Sequence, residues 1–375
     1  MFNYKYFDDL SIELIDGDRG KNYPKNDEML EKGYCLFLNA KNVTLNGFAF
    51  DENVFITKEK DEILRKGKLN RNDIVLTTRG TIGNVGLYDD KITYDNIRIN
   101  SGMLIIRNND NNINTKYLYY QLTSPFIRNQ IFSLKTGSAQ PQIPITVLKK
   151  LKLIIPDKRI QDKIVRVMDS IINKLTLNNE INNNLYELSV QLLKKYLEDK
   201  SLEEINVSEL LNIFTGKKNA NETSLTGKYK FFSCAPDSLL SDTYIFDGPA
   251  VIVAGNGAYT GRTRFYDGRF ELYQRTYGLT LKDEVNSNNI YGLYVYMKEF
   301  FEKEKMGGTH GSAIPYIVLG DLTNYKLKYN KIKFDKFCES IKNNIIKIQK
   351  NQEQNETLEQ LRDTLLPKLM NGEID

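Results

Sequence analysis

The chain has 375 residues, of which 41% are hydrophobic, and its 52 basic and 48 acidic side chains leave a formal net charge of +4. This length favours two or three domains with ordinary cores. The composition excludes a disordered chain and, with no run of about 18 apolar residues, a membrane-spanning helix. The near balance of charge neither requires nor excludes nucleic acid, so a DNA-binding surface would have to come from local placement of basic side chains.

Residues 1–155 form the first predicted element, a globular unit of mixed α/β character. Short β-rich runs recur in it and are separated by Gly, Asn and Asp, as turn chemistry predicts. The clearest runs lie at 34–38, 73–78 and 102–106. A helix is predicted over 116–134, with a break at Ser124-Pro125.

A glycine-rich turn follows the run at 73–78, with the sequence TTRGTIGNVG over residues 77–86. Glycines allow a tight backbone and the close approach of a ligand. Arg79, Thr81 and Asn84 can donate hydrogen bonds to phosphate oxygens or base edges. We predict DNA contacts by these three side chains; a plain β-hairpin turn is the alternative. The turn lacks the glycine and lysine pattern of a nucleotide phosphate loop.

A second candidate in this unit is the segment GSAQPQI over residues 137–143. Small and hydroxyl-bearing residues suit a polar contact close to the backbone, such as phosphate binding. Lys135, Ser138 and Gln140 are therefore predicted DNA contacts. The alternative is a structural bend that leads into the next strand.

A long helix is predicted over residues 156–200. Apolar residues recur there largely in alternating steps of four and three, a heptad-like seam that Lys174 and Asn178 weaken midway. The apolar positions of this predicted seam are Ile160, Ile164, Val167, Ile171, Ile181, Leu185, Leu188 and Leu192.

Residues 201–330 are the second predicted globular unit, with strands at 250–254 and 277–281 and the glycine-rich turn AGNGAYTGRTR over 254–264. Its side chains are the same kinds of donor as those of the first turn, and the arginines of this region are the densest in the chain. A solvated strand face is the alternative for the arginines. The predicted DNA contacts of this unit are Lys217, Asn256, Tyr259, Arg262, Arg264 and Arg275.

The segment GSAIP over residues 311–315 repeats the one at 137–143, with the two glycines 174 residues apart. Thr309 and Ser312 are predicted DNA contacts by the same argument. His310 is the only histidine, so a Ser-His-Asp triad could exist at most once and a multi-histidine metal site not at all. Its counterpart in the first unit is Thr136. We therefore predict no catalytic residue and no metal site in this chain.

A second long helix is predicted over residues 331–375, with a polar middle at Asn351 and Asn355. Two such helices can bury their seams against each other, and we predict antiparallel pairing; separate packing of each helix on its own unit is the alternative. The chain thus repeats the order of globular unit and helix. The apolar stripe of the second helix comprises Phe337, Ile341, Ile345, Ile348, Leu358, Leu361, Leu365 and Leu369.

The whole chain resembles the specificity subunit of type I restriction-modification systems. The resemblance rests on GDRGKNYP over residues 17–24, on the first glycine-rich turn and GSAQPQI, and above all on LRDTLLPKLMNGEI over residues 361–374. It implies an α/β (α+β) fold with two mixed α/β target recognition domains, 1–155 and 201–330. Two long antiparallel coiled-coil helices would separate them, with pseudo-two-fold duplication.

The resemblance also implies what the chain binds. Each recognition domain would read one half of a split site in double-stranded DNA. The helices would dock two methyltransferase subunits, and endonuclease/translocase subunits would join that core. These partners would bring S-adenosylmethionine, ATP and magnesium, and the methyltransferase would flip an adenine out of the duplex, so no cofactor is expected in this chain.

Two other classes of function stay open on the residues alone, a duplicated-domain nucleic-acid hydrolase and a protein-only scaffold. Activity of the isolated chain would favour the first, and failure to bind any duplex would favour the second. Cys35, Cys234 and Cys338 lie far apart without metal-like spacing, which indicates reduced thiols in the cytoplasm. The first residues show no signal-peptide pattern, so no membrane partner is expected.

Overall fold

A computed structural model describes residues 3–134, 142–219, 221–306 and 315–373 of the chain. The chain divides into two compact units: unit 1 comprises Met1–Lys174 and Thr357–Asp375, and unit 2 comprises Leu175–Glu356. Each unit contains a mixed α/β body and part of both long helices. Within the described ranges no helix is long and apolar enough to cross a membrane.

The body of unit 1 is built from short strands and helices, and the three predicted strand runs are confirmed. Ser124 caps the third helix and Pro125 opens it, so the predicted helix break is also confirmed. The strands are β1 (Asn3–Tyr6), β2 (Ile12–Asp16), β3 (Cys35–Leu38), β4 (Val43–Thr44), β5 (Gly47–Phe48), β6 (Phe55–Ile56), β7 (Ile74–Thr77), β8 (Val85–Leu87), β9 (Ile97–Ile99), β10 (Met103–Asn108) and β11 (Lys152–Ile155). The helices are α1 (Lys58–Ile63), α2 (Thr115–Thr123), α3 (Pro125–Ser133) and α4 (Ile145–Leu148).

The central sheet of unit 1 is antiparallel with the strand order β2-β10-β7-β8, and a second sheet, β6-β3-β9, pairs β3 with β9 in parallel. Strand β7 is buried on both faces, since Ile74 belongs to the same core cluster as Leu118 of α2, whereas Val75 belongs to that of Leu36 in β3. Burial on both faces explains why these strands are nearly continuous apolar runs.

Unit 2 has a six-stranded sheet with the order β13-β18-β16-β17-β14-β15, and the predicted strands at 250–254 and 277–281 are confirmed within it. Its strands are β12 (Glu203–Asn206), β13 (Leu211–Thr215), β14 (Tyr229–Phe232), β15 (Leu239–Ser241), β16 (Phe246–Ala254), β17 (Thr263–Leu272), β18 (Thr276–Leu281) and β19 (Lys326–Tyr329). Its shorter helices are α6 (Asn289–Tyr296), α7 (Glu302–Lys305) and α8 (Leu319–Thr323).

The two bodies share their strand connections. Strand β14 pairs with β17 in parallel as β3 pairs with β9, and β12 pairs with β19 as β1 pairs with β11. Strand β17 corresponds to β8 and β9 together, because it lies between β16 and β14. The duplication predicted from the sequence is therefore present in the backbone.

The long helices are α5 (Lys158–Leu197) and α9 (Lys331–Asn371). In unit 2 they pair through amides, of which Asn182 is half-buried and the other three are buried: Asn178 Nδ2 donates to Asn355 Oδ1 at 2.8 Å, and Asn351 Nδ2 donates to Asn182 Oδ1 at 2.8 Å. The predicted antiparallel pairing is confirmed. Asn178 and Asn351 are 173 residues apart, as are Asn182 and Asn355, so the two pairs are copies of each other. A buried amide left unpaired costs about 1–3 kcal/mol, so this ladder favours the observed register.

Part of the predicted helix seam is wrong, because some of its apolar side chains point to solvent. Gln161 is buried instead, and its Nε2 donates to the Pro156 carbonyl oxygen at 2.8 Å. Ser189 is buried too and accepts a hydrogen bond from Asn344 Nδ2 at 3.2 Å. Polar side chains with satisfied hydrogen bonds can occupy a seam, and hydrophobic spacing does not reveal them. The exposed positions are Ile160 at 41%, Leu188 at 46% and Leu361 at 43%.

Candidate nucleic-acid interface

The first glycine loop, residues 78–84, connects β7 to β8. Gly80 and Gly83 have φ angles of 71° and 90°, a left-handed backbone that glycine adopts without strain. The Thr77 hydroxyl accepts a hydrogen bond from the backbone nitrogen of Asn84 at 3.0 Å and donates to the Thr81 carbonyl oxygen. The loop is thus a closed turn held by its own hydrogen bonds.

Arg79 is the exposed basic side chain of this loop. Its Nε donates to Gln142 Oε1 at 3.2 Å, and the two residues form an antiparallel β-bridge. The backbone nitrogen of Ile143 donates to the Thr78 carbonyl oxygen at 3.2 Å. The glycine loop and the end of the GSAQPQI segment, predicted separately, therefore lie side by side. Sequence reasoning missed Gln142, although it belongs to that segment.

Thr81 and Asn84 differ in their surroundings. Thr81 is exposed, and its hydroxyl donates to the Ala40 carbonyl oxygen at 3.4 Å. Asn84 is 8% exposed, and its Nδ2 donates to the Val43 carbonyl oxygen at 2.9 Å. The Asn84 amide is thus engaged inside the protein, where it anchors the loop to β4.

The second glycine loop, residues 255–262, connects β16 to β17 and repeats the backbone of the first. Gly257 and Gly261 have φ angles of 81° and 85°. The backbone nitrogen of Ala254 donates to the Arg262 carbonyl oxygen at 2.9 Å, as that of Thr77 donates to Asn84 at 3.0 Å. The loop is one residue longer than its counterpart.

The same hydrogen bonds define which residues correspond. Gly261 donates to Ala254 at 2.8 Å as Gly83 donates to Thr77 at 3.0 Å, and Arg262 donates to Tyr259 at 3.0 Å as Asn84 donates to Thr81 at 3.3 Å. Asn256 forms a bridge with Tyr316 as Arg79 does with Gln142. The equivalent pairs are therefore Arg79 with Asn256, Thr81 with Tyr259, and Asn84 with Arg262.

The second loop presents a stacked cation. The guanidinium carbon of Arg262 lies 4.1 Å from the ring centroid of Tyr259, which is 42% exposed. Among the described residues no carboxylate pairs with Arg262. A stacked arginine and an exposed aromatic ring are both suited to nucleic acid, the first for phosphate or guanine and the second for base stacking.

Arg264 packs against the body of unit 2, unlike Arg262. Its guanidinium donates to the Ala235 carbonyl oxygen, and its Cζ lies 5.7 Å from the Phe232 ring centroid. Burial lowers the pKa of the Arg264 guanidinium, and the nearby charge of Arg262 lowers it further. Through these contacts Arg264 stabilises the end of the second glycine loop.

Lys217 and Arg275 are exposed beside the turn between β17 and β18. A Cβ atom on Gly216 would lie 2.0 Å from the Leu272 carbonyl oxygen, so the chain passes close to the end of β17 just before Lys217. The Arg275 carbonyl oxygen accepts a hydrogen bond from the Gly255 nitrogen at 2.9 Å. The backbone of Arg275 thus contacts the second glycine loop, and Lys217 follows a residue that packs on the end of β17.

The remaining predicted contacts, in the two Gly-Ser-Ala segments, lie outside the described residues. They are Lys135, Ser138, Gln140, Thr309 and Ser312, together with His310.

A family model described as the type I restriction modification DNA specificity domain matches residues 12–187 and again residues 200–360. The chain belongs to this family. A specificity subunit of the family, the type I restriction enzyme EcoDI subunit of Escherichia coli, is 36% identical over 123 residues, which are 32% of this chain and 26% of that protein. The chain therefore matches about a quarter of the length of this relative.

Two further relatives extend the family likeness over most of the chain. The MjaIX specificity subunit of Methanocaldococcus jannaschii is 23% identical over 347 residues, covering 81% of this chain and 78% of that protein. The crystal structure of a type I restriction-modification S subunit from M. genitalium superposes with a TM-score of 0.64 at 18% identity, covering 98% of this chain and 96% of that one. The fold described above is thus the fold of a known specificity subunit.

Proposed function

We propose that this chain is the non-catalytic specificity subunit of a type I restriction-modification complex. It reads a split site in double-stranded DNA through target recognition domains at residues 1–155 and 201–330. The observation that carries this proposal is that the family's DNA specificity domain matches the chain twice, and each match contains one of two equivalent glycine loops. The family match favours this function over a duplicated-domain nucleic-acid hydrolase or a protein-only scaffold.

The DNA-facing side chains in this proposal are the exposed or partly exposed polar side chains of the two loops and their basic neighbours. Asn84 and Arg264 hold the loops in shape, because Asn84 Nδ2 and one terminal guanidinium nitrogen of Arg264 donate to protein carbonyl oxygens. The five predicted contacts of the Gly-Ser-Ala segments stay proposed phosphate contacts. The side chains proposed to face DNA are Arg79, Thr81, Lys217, Asn256, Tyr259, Arg262 and Arg275.

The partners in this proposal are two methyltransferase subunits, joined by endonuclease/translocase subunits. The exposed apolar positions of the helices support two equivalent docking places, since Leu188 on α5 and Leu361 on α9 are 173 residues apart and similarly exposed. The partners supply S-adenosylmethionine, ATP and magnesium, and no cofactor is assigned to this chain. The complex is proposed to act in the cytoplasm.

Co-expression with the methyltransferase subunit tests the assembly. We expect a complex whose mass, measured by light scattering, equals one 43.4 kDa chain plus two methyltransferases. Leu188→Asp and Leu361→Asp should each remove one methyltransferase, and the double variant both, because a charge in an apolar interface is costly to bury. Glu187→Ala, an exposed neighbour on α5, is the control and keeps both. A freely soluble monomer with no affinity for the methyltransferase contradicts the proposal.

A further inference from the structure

We infer that the two glycine loops read different bases from equivalent places: Arg79 reads a guanine in the half-site of unit 1, and Asn256 reads an adenine in the half-site of unit 2. The inference rests on the proposed function and adds the chemistry of the site that the chain selects. It also assigns Gln142 as the positioning residue of Arg79.

The equivalence of the two readers follows from the hydrogen bonds around them. The backbone nitrogen of the residue before each proposed base reader, Arg79 or Asn256, donates to a carbonyl oxygen just ahead of a neighbouring strand. Thr78 donates to Gly102 ahead of β10 at 2.8 Å, and Gly255 donates to Arg275 ahead of β18 at 2.9 Å. The residue after each reader is a glycine with positive φ, and the reader itself bridges the strand-like segment ahead of α4 or α8. Arg79 and Asn256 therefore occupy equivalent backbone positions in the two glycine loops.

Arg79 is arranged to offer its terminal nitrogens. The Nε hydrogen bond to Gln142 holds the guanidinium plane, and within the described residues neither terminal nitrogen makes a hydrogen bond. Two parallel donors on one planar group match the O6 and N7 acceptors of guanine in the major groove. This hydrogen bond also restricts the Arg79 side chain before binding, so less conformational entropy is lost when DNA binds. Gln142 thus prepares Arg79 for bidentate contact.

Asn256 offers different chemistry at the same place. Its amide carries one acceptor and one donor group, which match the N6 donor and N7 acceptor of adenine. The side chain is partly exposed and makes no hydrogen bond with any other described residue. An asparagine cannot present two donors to the two acceptors of guanine as an arginine does. The two loops should therefore select different bases.

The test is a map of methylated bases in a host that carries this chain and its methyltransferase. Arg79→Ala should reduce the preference for guanine at one position of one half-site by about 5- to 150-fold and leave the other half unchanged. Asn256→Ala should relax one adenine of the other half by a similar factor. Arg79→Asn and Asn256→Arg should shift those positions towards adenine and guanine respectively.

The controls separate reading from positioning and folding. Gln142→Ala should weaken the same position as Arg79→Ala, and Gln142→Glu, which keeps an acceptor for Nε, should retain the guanine. Arg65→Ala removes another exposed arginine of unit 1 and should leave base preference unchanged. Melting temperatures of the variants should match that of the original chain, because both readers lie on loop surfaces.

Failure of the inference and failure of the proposed function are distinguishable. If the unaltered chain directs methylation to a split site but Arg79→Ala and Asn256→Ala leave every position unchanged, the inference is wrong and the proposed function stands. A uniform loss of methylation without relaxed positions would also overturn it, since that result indicates phosphate contacts. If no methylation depends on the chain at all, the proposed function itself fails.

Discussion

Replacing Asp61 with Asn should destabilise unit 1 by about 3–5 kcal/mol, because it removes one partner of a buried ion pair. Asp61 and Arg98 are 1% and 5% exposed, and Arg98 Nε donates to Asp61 Oδ1 at 2.5 Å. Lys68 Nζ donates to the other carboxylate oxygen at 2.5 Å. Without the carboxylate, the Arg98 guanidinium stays buried with its charge uncompensated.

The effect should depend on pH. Burial alone raises the pKa of Asp61, but hydrogen bonds from Lys68 and Arg98 outweigh it, so the pKa lies below its usual value of 3.8. A lowered carboxyl pKa contributes stability that is present above the unfolded pKa and is lost as the pH falls through the folded pKa. The difference between the original chain and Asp61→Asn should therefore shrink below about pH 4.

Cys35 provides a readout that is specific to unit 1. Its side chain is fully buried beside Asp61, and burial is the main reason that its pKa rises to about 12, so the thiol is unreactive while the unit is folded. Thiol labelling in a urea series should show unit 1 unfolding at lower urea in Asp61→Asn. Glu62→Ala, an exposed change on the same helix, should move the curve by less than about 0.5 kcal/mol. Equal curves for all three chains would refute the predicted role of the ion pair.

Lengthening both long helices by one heptad should lengthen the spacer of the DNA site by about three base pairs. Seven residues add about 10.5 Å of helix, and DNA advances about 3.4 Å per base pair. Duplicating 168–174 in α5 and 359–365 in α9 places the new heptads opposite each other, since the helices pair as Asn178 with Asn355 and Asn182 with Asn351. The amide ladder stays intact, and a whole heptad keeps the seam in phase.

The methylated motif of the lengthened chain is the measurement. Both half-sites should be unchanged, and only the number of unread bases between them should grow. Duplication in α5 alone is the control, because it shifts one helix against the other and should abolish methylation. An unchanged spacer in the paired variant would show that the helices do not set it.

The sequence predicted those features that depend on local chemistry. The two glycine loops, the break at Ser124-Pro125 and the antiparallel helices follow from glycine, proline and heptad spacing, and all are present. Asn84 and Arg264 were expected to face outward like their neighbours. Both are engaged by carbonyl groups that come from distant parts of the chain, at Val43 and Ala235, and sequence spacing does not reveal such partners.

Other features that depend on contacts between distant parts of the chain could not be predicted from the sequence. Gln142 gains its role only because a β-bridge brings it to Arg79, 63 residues away. At equivalent positions of the parallel strand pairs, unit 1 buries Arg98 and unit 2 buries Glu271, each with its own partners. The opposite charges show that the two bodies diverged inside as well as in their loops, a difference that requires the strand register to be known.

The most direct test of the whole account is a genome-wide map of methylated adenines in the host with the chain present, deleted and restored. We expect one asymmetric split motif, its two halves unrelated in sequence, that disappears on deletion and returns with the chain. Methylation that is the same with and without the chain, or a chain-dependent motif that is continuous instead of split, would contradict it.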